Sequence, residues 1–197
     1  MPSRKLQLSD ILDLRAYERQ RESLRNSVIE VKSRRRVALG PVVTLMFENR
    51  ETVKAQIQEM LRAEKVTNDA GVIEELDAYN PLIPEPGQLC ATLFVELTTD
   101  EQMREWLPKL VGIEGSIVIK LSSGSEVRSI AEEGHAENLT RADITAAVHY
   151  VRFEFNSAQV EEFAHGVVEV TCDHPAYFEA VELPPYIVKE LLSDLRP

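Results

Sequence analysis

The apolar residues of this chain come in runs of strand length, and turn-forming residues separate them. Val42–Phe47, among the longest, falls far short of the roughly 20 residues that a membrane-spanning helix needs. β-Branched and aromatic residues fill Arg36–Phe47, and Gly40-Pro41 divides that segment into two strands. His149, Val151, Phe153 and Phe155 alternate with Tyr150, Arg152 and Glu154, the period of a half-buried strand. Leu89–Leu97, Val167–Cys172 and Tyr177–Leu183 are further strands. Ser116–Leu121 and Glu126–Ile130 flank Ser122-Ser123-Gly124-Ser125 as a hairpin.

Helical periodicity marks the remaining segments. Ser9 and Asp10 suit a helix start, and Leu14, Tyr17, Leu24, Val28 and Val31 form a stripe that Arg21 interrupts. This long amphipathic N-terminal helix is expected to stop near Arg34. Asn49 can cap a second helix through about Glu64, with Val53, Ile57, Met60 and Leu61 as its buried stripe. Ile73, Leu76 and Tyr79 mark a short helix, ended by Asn80-Pro81 and Pro84-Glu85-Pro86-Gly87. Thr99 and Gln102 have the spacing of a capping box, Asn156 or Ser157 opens another helix, and Pro184-Pro185 introduces the last. Ala131–Asp143 is a polar loop. Hairpin-joined strands that do not alternate strictly with helices predict an α+β fold. The expected architecture is one domain, 1–197, with a largely antiparallel sheet of about six strands flanked by helices.

Composition excludes several chemistries. The 197 residues hold two cysteines, Cys90 and Cys172, too few for a disulfide framework, an iron–sulfur cluster or a four-thiolate zinc site. The N-terminus lacks the apolar core of a signal peptide, which with so few cysteines points to a reducing cytoplasm. A net charge of −11 argues against nucleic-acid binding. That charge is uneven. Residues 1–65 carry 14 Lys/Arg against 9 Asp/Glu, and residues 66–197 carry 8 against 24. The basic third either folds against the acidic remainder or presents a patch to an acidic partner.

Two constellations are candidates for a site. Gln58, Glu59 and Arg62 stand three and four residues apart on a helix. With Glu48, Arg50 and the run Arg34, Arg35 and Arg36, they could grip a carboxylate or phosphate, since Arg suits bidentate contact. The same spacing also fits a solvated face, or a buried network tying this helix to the N-terminal one. The second constellation is Cys172-Asp173-His174-Pro175. Cys172 and His174 share a strand face, and His149 would join them if its strand were a neighbour, giving ligands for one transition-metal ion. A carboxylate such as Glu154 or Asp173 would complete the ligand set of a non-haem iron centre, but Glu154 has the opposite parity from His149 on its strand and points away from it. A core His149 and a His174 bonded within its turn explain the same residues. Cys172 and His174 stand too far apart, about 6–7 Å at their bases, for a direct thiolate–imidazole bond, and Cys90 reads as core. No phosphate-binding glycine loop, nucleophile elbow or His-Glu-x-x-His pair occurs.

Several separated strings also resemble a known family. They are Arg35-Arg36-Val37-Ala38-Leu39-Gly40-Pro41, Phe47-Glu48-Asn49-Arg50, Gln56-Ile57-Gln58-Glu59-Met60-Leu61-Arg62, Glu75–Pro84 and His174-Pro175-Ala176-Tyr177. Together they resemble the bacterial family of domain of unknown function 3501, over essentially the whole chain. The resemblance implies a single-domain protein with no established activity. Its members tend to be encoded beside rubrerythrin-like and heterodisulfide-reductase-like iron–sulfur proteins. The expected function is a non-catalytic accessory or binding protein acting with an iron–sulfur or rubrerythrin-like redox partner and requiring no cofactor. The alternatives are a metal- or cofactor-binding protein, with oxidoreductase chemistry at a His-based site, and a structural homo-oligomer packed through the N-terminal helix.

Overall fold

In the computed structural model, which describes residues 4–132 and 144–196, the strands separate into two antiparallel sheets. The first contains β1 (Arg36–Leu39), β2 (Val43–Glu48), β3 (Gln88–Val95), β7 (Val148–Glu154) and β6 (Ile130–Ala131), in that spatial order. The second runs β5 (Glu126–Arg128), β4 (Ile117–Leu121), β8 (Val168–His174) and β9 (Tyr177–Glu182). The antiparallel α+β class holds. The expected single layer of about six strands is instead two layers: the chain changes sheets between β3 and β4, again at Ser129, and between β7 and β8. Glu126–Arg128 pairs with β4, whereas Ile130 and Ala131 pair with β7. Ser129 is buried at the crossing, where its hydroxyl donates to Glu114 O at 2.7 Å and accepts from Ile117 N at 3.2 Å. Most of the polar loop expected at Ala131–Asp143 lies outside the described residues, as does His135.

Strand alternation builds the core. Leu45 pairs with Leu93 and Leu93 with His149, while Phe47 pairs with Ala91 and Ala91 with Val151. These side chains meet Ile117, Ile119, Val170 and Cys172 of the other sheet in one apolar cluster. Helices α5 (Ser157–His165) and α6 (Pro185–Leu195) add Phe163 and Leu191 to it. Burying each such large side chain contributes about 1.5–3 kcal/mol. The sheets are also joined through Tyr177, whose hydroxyl donates to Leu39 O and accepts from Val42 N at 3.3 Å. Gly40 allows this approach. Its φ is 67°, and a Cβ there would lie 2.6 Å from that same hydroxyl.

The outer face of the first sheet carries a second, smaller core. Leu6, Val53, Ile57, Leu61, Leu76 and Leu82 cluster where α2 (Arg50–Glu64) and α3 (Asp69–Tyr79) cover it. Asn49 caps α2 as expected, and its side chain accepts from Glu51 N and Thr52 N. α4 (Asp100–Trp106) opens with the expected Thr99–Gln102 capping box. Among the described residues no helix is long and apolar enough to cross a membrane.

α1 (Leu14–Ser33) starts later than expected. Asp13 caps it by accepting from Ala16 N, while Asp10 turns back to Gln7 N and pairs with Arg50. Only Tyr17 of α1 is fully buried. Its first half is latched to α2: Tyr17 Oη donates to Glu59 Oε1 at 2.6 Å, and Arg21 forks onto both Glu59 oxygens at 2.8 and 2.9 Å. Just past its end, Arg35 is 1% exposed. Its guanidinium donates to Glu190 at 2.9 Å and to Asp194 at 2.6 and 3.3 Å, all on α6. Burial pushes the Asp194 carboxyl above its ordinary range, and Arg35 opposes that rise.

Replacing Arg35 with Ala strands two carboxylates without their cation. We expect a loss of about 3–5 kcal/mol in urea-unfolding free energy at neutral pH, and a loss under about 1 kcal/mol would contradict the assignment. Glu59 supplies a pH test. The Arg21 guanidinium foremost, then the Tyr17 hydroxyl, hold its carboxyl down to about 2 from 4.5, against the cost of burial. The latch is therefore complete above pH 4.5 and is lost as pH falls toward 2. The Glu59 side chain is 37% exposed, so screening reduces its worth to about 1 kcal/mol. Glu59→Gln is expected to be less stable than wild type by that amount at neutral pH and equal to it near pH 2. A gap that stays constant across this range would count against the latch.

Candidate functional site

The residues expected to form an anion grip do not converge on one patch. Arg34 bonds Glu30 at 3.0 Å and Glu190 at 3.3 Å, Arg35 is buried against α6, and Arg36 pairs with Glu96. Arg50 meets Asp10 at 2.7 Å and Arg62 meets Glu18 at 2.5 Å. Gln58 is buried, and its amide clasps the backbone of Leu12, accepting from N at 2.8 Å and donating to O at 3.2 Å. Glu59 and Arg62 thus tie α2 to α1 through partly exposed ion pairs, and buried Gln58 ties it to Leu12 just before α1. Arg34 and Arg35 join a different part of the fold.

The expected metal ligands are also separated. His149 lies on β7 and Cys172 and His174 on β8, strands of different sheets. Both ring nitrogens of His174 are occupied, with Nε2 3.0 Å from Val111 O and Nδ1 accepting from Ala176 N at 3.2 Å. Its place in the turn before Tyr177 therefore fixes its orientation. His149 Nε2 lies 2.9 Å from Thr145 Oγ1 and 3.0 Å from Ala146 O, while Nδ1 faces Glu114 Oε2 at 4.0 Å. Burial pushes the imidazole below its ordinary pKa, and the Glu114 charge partly opposes this. Glu114 Oε2 has no hydrogen-bond partner among the described residues. Cys172 is fully buried, and burial raises its thiol. The Cys90 thiol is pushed up to about 12 by burial, far from the range of a reactive thiolate. Among the described residues, no group of three or more His, Cys, Asp or Glu is arranged to hold a metal ion.

An open site remains between the helices. Contacts join the start of α1 to the end of α2, through Glu18 with Arg62 and Tyr17 with Glu59. Beyond this latch a groove of about 430 Å³ opens between the second half of α1 and the first part of α2. Leu24, Val28, Ile29 and Ala55 give it apolar walls, and Arg25, Lys32 and Lys54 stand along it together with the carboxylates of Glu51 and Glu59. Ile29, one of its apolar walls, is 59% exposed. Among the described residues, Arg25, Lys32 and Lys54 make no ion pair. Sequence patterning marks Leu24 and Val28 as a stripe but not these cations as a set. Lys54 joins the other two only because the helices pack side by side.

Comparison with known proteins gives a family and no activity. No curated protein matches the chain. A similar solved structure is the crystal structure, at 1.90 Å resolution, of a novel protein of unknown function from Burkholderia pseudomallei K96243. The two are 37% identical over 97% of this chain and 99% of that one, with a TM-score of 0.89. Residues 5–195 match the family described as protein of unknown function (DUF3501). Both findings cover nearly the full sequence, and the chain belongs to that family.

Proposed function

We propose that the protein is a non-catalytic docking protein whose α1–α2 groove receives an acidic amphipathic helix of a redox partner. The carrying observation is the groove itself, with apolar walls and, beside the Glu51 and Glu59 carboxylates, three cations that no ion pair engages among the described residues. Laying an apolar helix face between two helices is a recurrent recognition mode, and surrounding charge selects and steers the partner. The partner class, an iron–sulfur or rubrerythrin-like protein, rests on the gene neighbourhood that the family resemblance implies. The setting is the reducing cytoplasm, in keeping with two free, buried cysteines. The side chains with the most chemical potential support a docking role, because Arg35, Glu59 and His174 are each engaged within the fold.

The test pairs the purified chain with the iron–sulfur or rubrerythrin-like protein encoded beside its gene, by isothermal titration calorimetry. Binding is expected to weaken as salt rises, and Arg25→Glu with Lys54→Glu is expected to weaken it by about tenfold or more. These variants are preferable to reversing Arg34, Arg35 and Arg36, because loss of the Arg35 charge would damage the fold itself. Unchanged affinity in the double variant, or no binding at all, would refute the reading. A light-scattering mass of twice 22.3 kDa that Ile29→Glu reduces to one chain would assign the groove to a second copy instead.

A further inference from the structure

A separate cleft lies on the outer face of the first sheet, where β2, β3 and β7 meet α2 and the end of α3. Its volume is about 290 Å³, the size of a site for a small metabolite. Glu48 supplies its carboxylate. Strand register places Met46, Thr92 and Tyr150 in one cross-strand row, with Glu48 in the next. Glu48 Oε1 accepts from Thr92 Oγ1 at 2.6 Å, and Oε2 accepts from Thr52 Oγ1. Thr92 and Thr52 are 5% and 0% exposed, so the carboxylate is aimed by buried donors. Among the described residues no cation pairs with it. Arg152, beyond Cys90 in the same row, turns to Glu154 at 3.0 Å. Each carboxylate oxygen therefore keeps an acceptor position for an incoming donor.

The walls narrow the kind of donor. Tyr79, Tyr150 and Phe94 line the cleft, with the Arg36 guanidinium, also a lining group, already 5.9 Å over the Phe94 ring, and aromatic faces favour a cation. Burial foremost, with Tyr79 and Glu48 nearby, holds the Tyr150 phenol above its ordinary pKa, so it keeps its proton. Met46, Leu82 and Val148 offer apolar surface. Lys32, on the last turn of α1, also lines the cleft and makes no ion pair among the described residues. We propose that this cleft binds a free amino acid with an apolar side chain, its ammonium on Glu48 and its carboxylate toward Lys32. The inference does not depend on the docking function.

Calorimetry and thermal shift of the whole chain with L-phenylalanine and L-leucine test it, with N-acetyl-L-phenylalanine as the control lacking an ammonium. A saturable Kd between roughly micromolar and millimolar is expected for at least one amino acid. Acetylation and Glu48→Gln are each expected to weaken binding by about tenfold or more, and Lys32→Ala by about threefold. Arg25→Glu with Lys54→Glu, which leaves the cleft alone, is expected to bind the amino acid unchanged. Three outcomes would overturn the proposal: no saturable binding of either amino acid at about 10 mM, equal binding of the acetylated compound, or wild-type affinity in a folded Glu48→Gln. If that variant does not fold, the acetylated compound still decides the matter on wild-type protein. Val148→Trp, which fills the cleft, is then expected to abolish binding.

Discussion

A guanidinium removed from water organises much of this fold. Arg35 carries a full charge at 1% exposure, and only the carboxylates of Glu190 and Asp194 make that position tolerable. It stands between α1 and β1, and its partners stand on the last helix of the chain. One interaction therefore joins the basic N-terminal third to the acidic C-terminal end. Arg34 adds a second contact to Glu190, and Arg4 donates to the backbone oxygens of Asp194 and Arg196. Among the described residues, the basic third meets the acidic remainder through Lys5, Arg34, Arg35 and Arg36, and its other ion pairs lie within itself. Of the cations at residues 34–36, Arg35 is buried, while Arg34 and Arg36 stay partly exposed and pair with Glu30, Glu190 and Glu96.

That anchoring leaves α1 held at its two ends. Glu59 grips Tyr17 and Arg21 near the start, and Arg35 is fastened just past the finish. The stretch between has only partly buried or exposed side chains, and the groove lies beside it. The same geometry brings Lys32 to the border of two concavities, the groove and the sheet cleft. Binding surface here is what remains after the strongly interacting residues have been committed to the fold. His174 and Tyr177 show the same economy, since they order one turn and fasten it to the Gly40-Pro41 turn of the other sheet.

Much of the fold was legible in the sequence, because the signals were local. The Asn49, Thr99 and Asn156 caps, the Gly40 turn and the alternation of His149 through Phe155 all depend on near neighbours. The division into two sheets was not legible, because the chain changes sheets three times, after β3, at Ser129 and after β7, and the partners that decide each change are distant in sequence. The start of α1 was misplaced because Ser9-Asp10 and Asp13 are both competent caps, and a long-range pair with Arg50 draws Asp10 away. Arg21 breaks the apolar stripe because it pairs with Glu59 on α2, a partner that the stripe alone does not name. The sites were harder to read. The Glu48 cleft assembles strands and helices far apart in sequence, and Lys54 joins Arg25 and Lys32 only through helix packing.

The central claim is that α1 is fastened at its ends and loosely held between them, so that its groove is free to receive a partner. Amide hydrogen exchange on the isolated chain tests this most directly, because protection follows local burial and packing. The account predicts that amides of Leu24–Val31 exchange markedly faster than those of Val53–Leu61 on α2, whose side chains lie in the smaller core. Protection of Leu24–Val31 equal to that of Val53–Leu61 would contradict it.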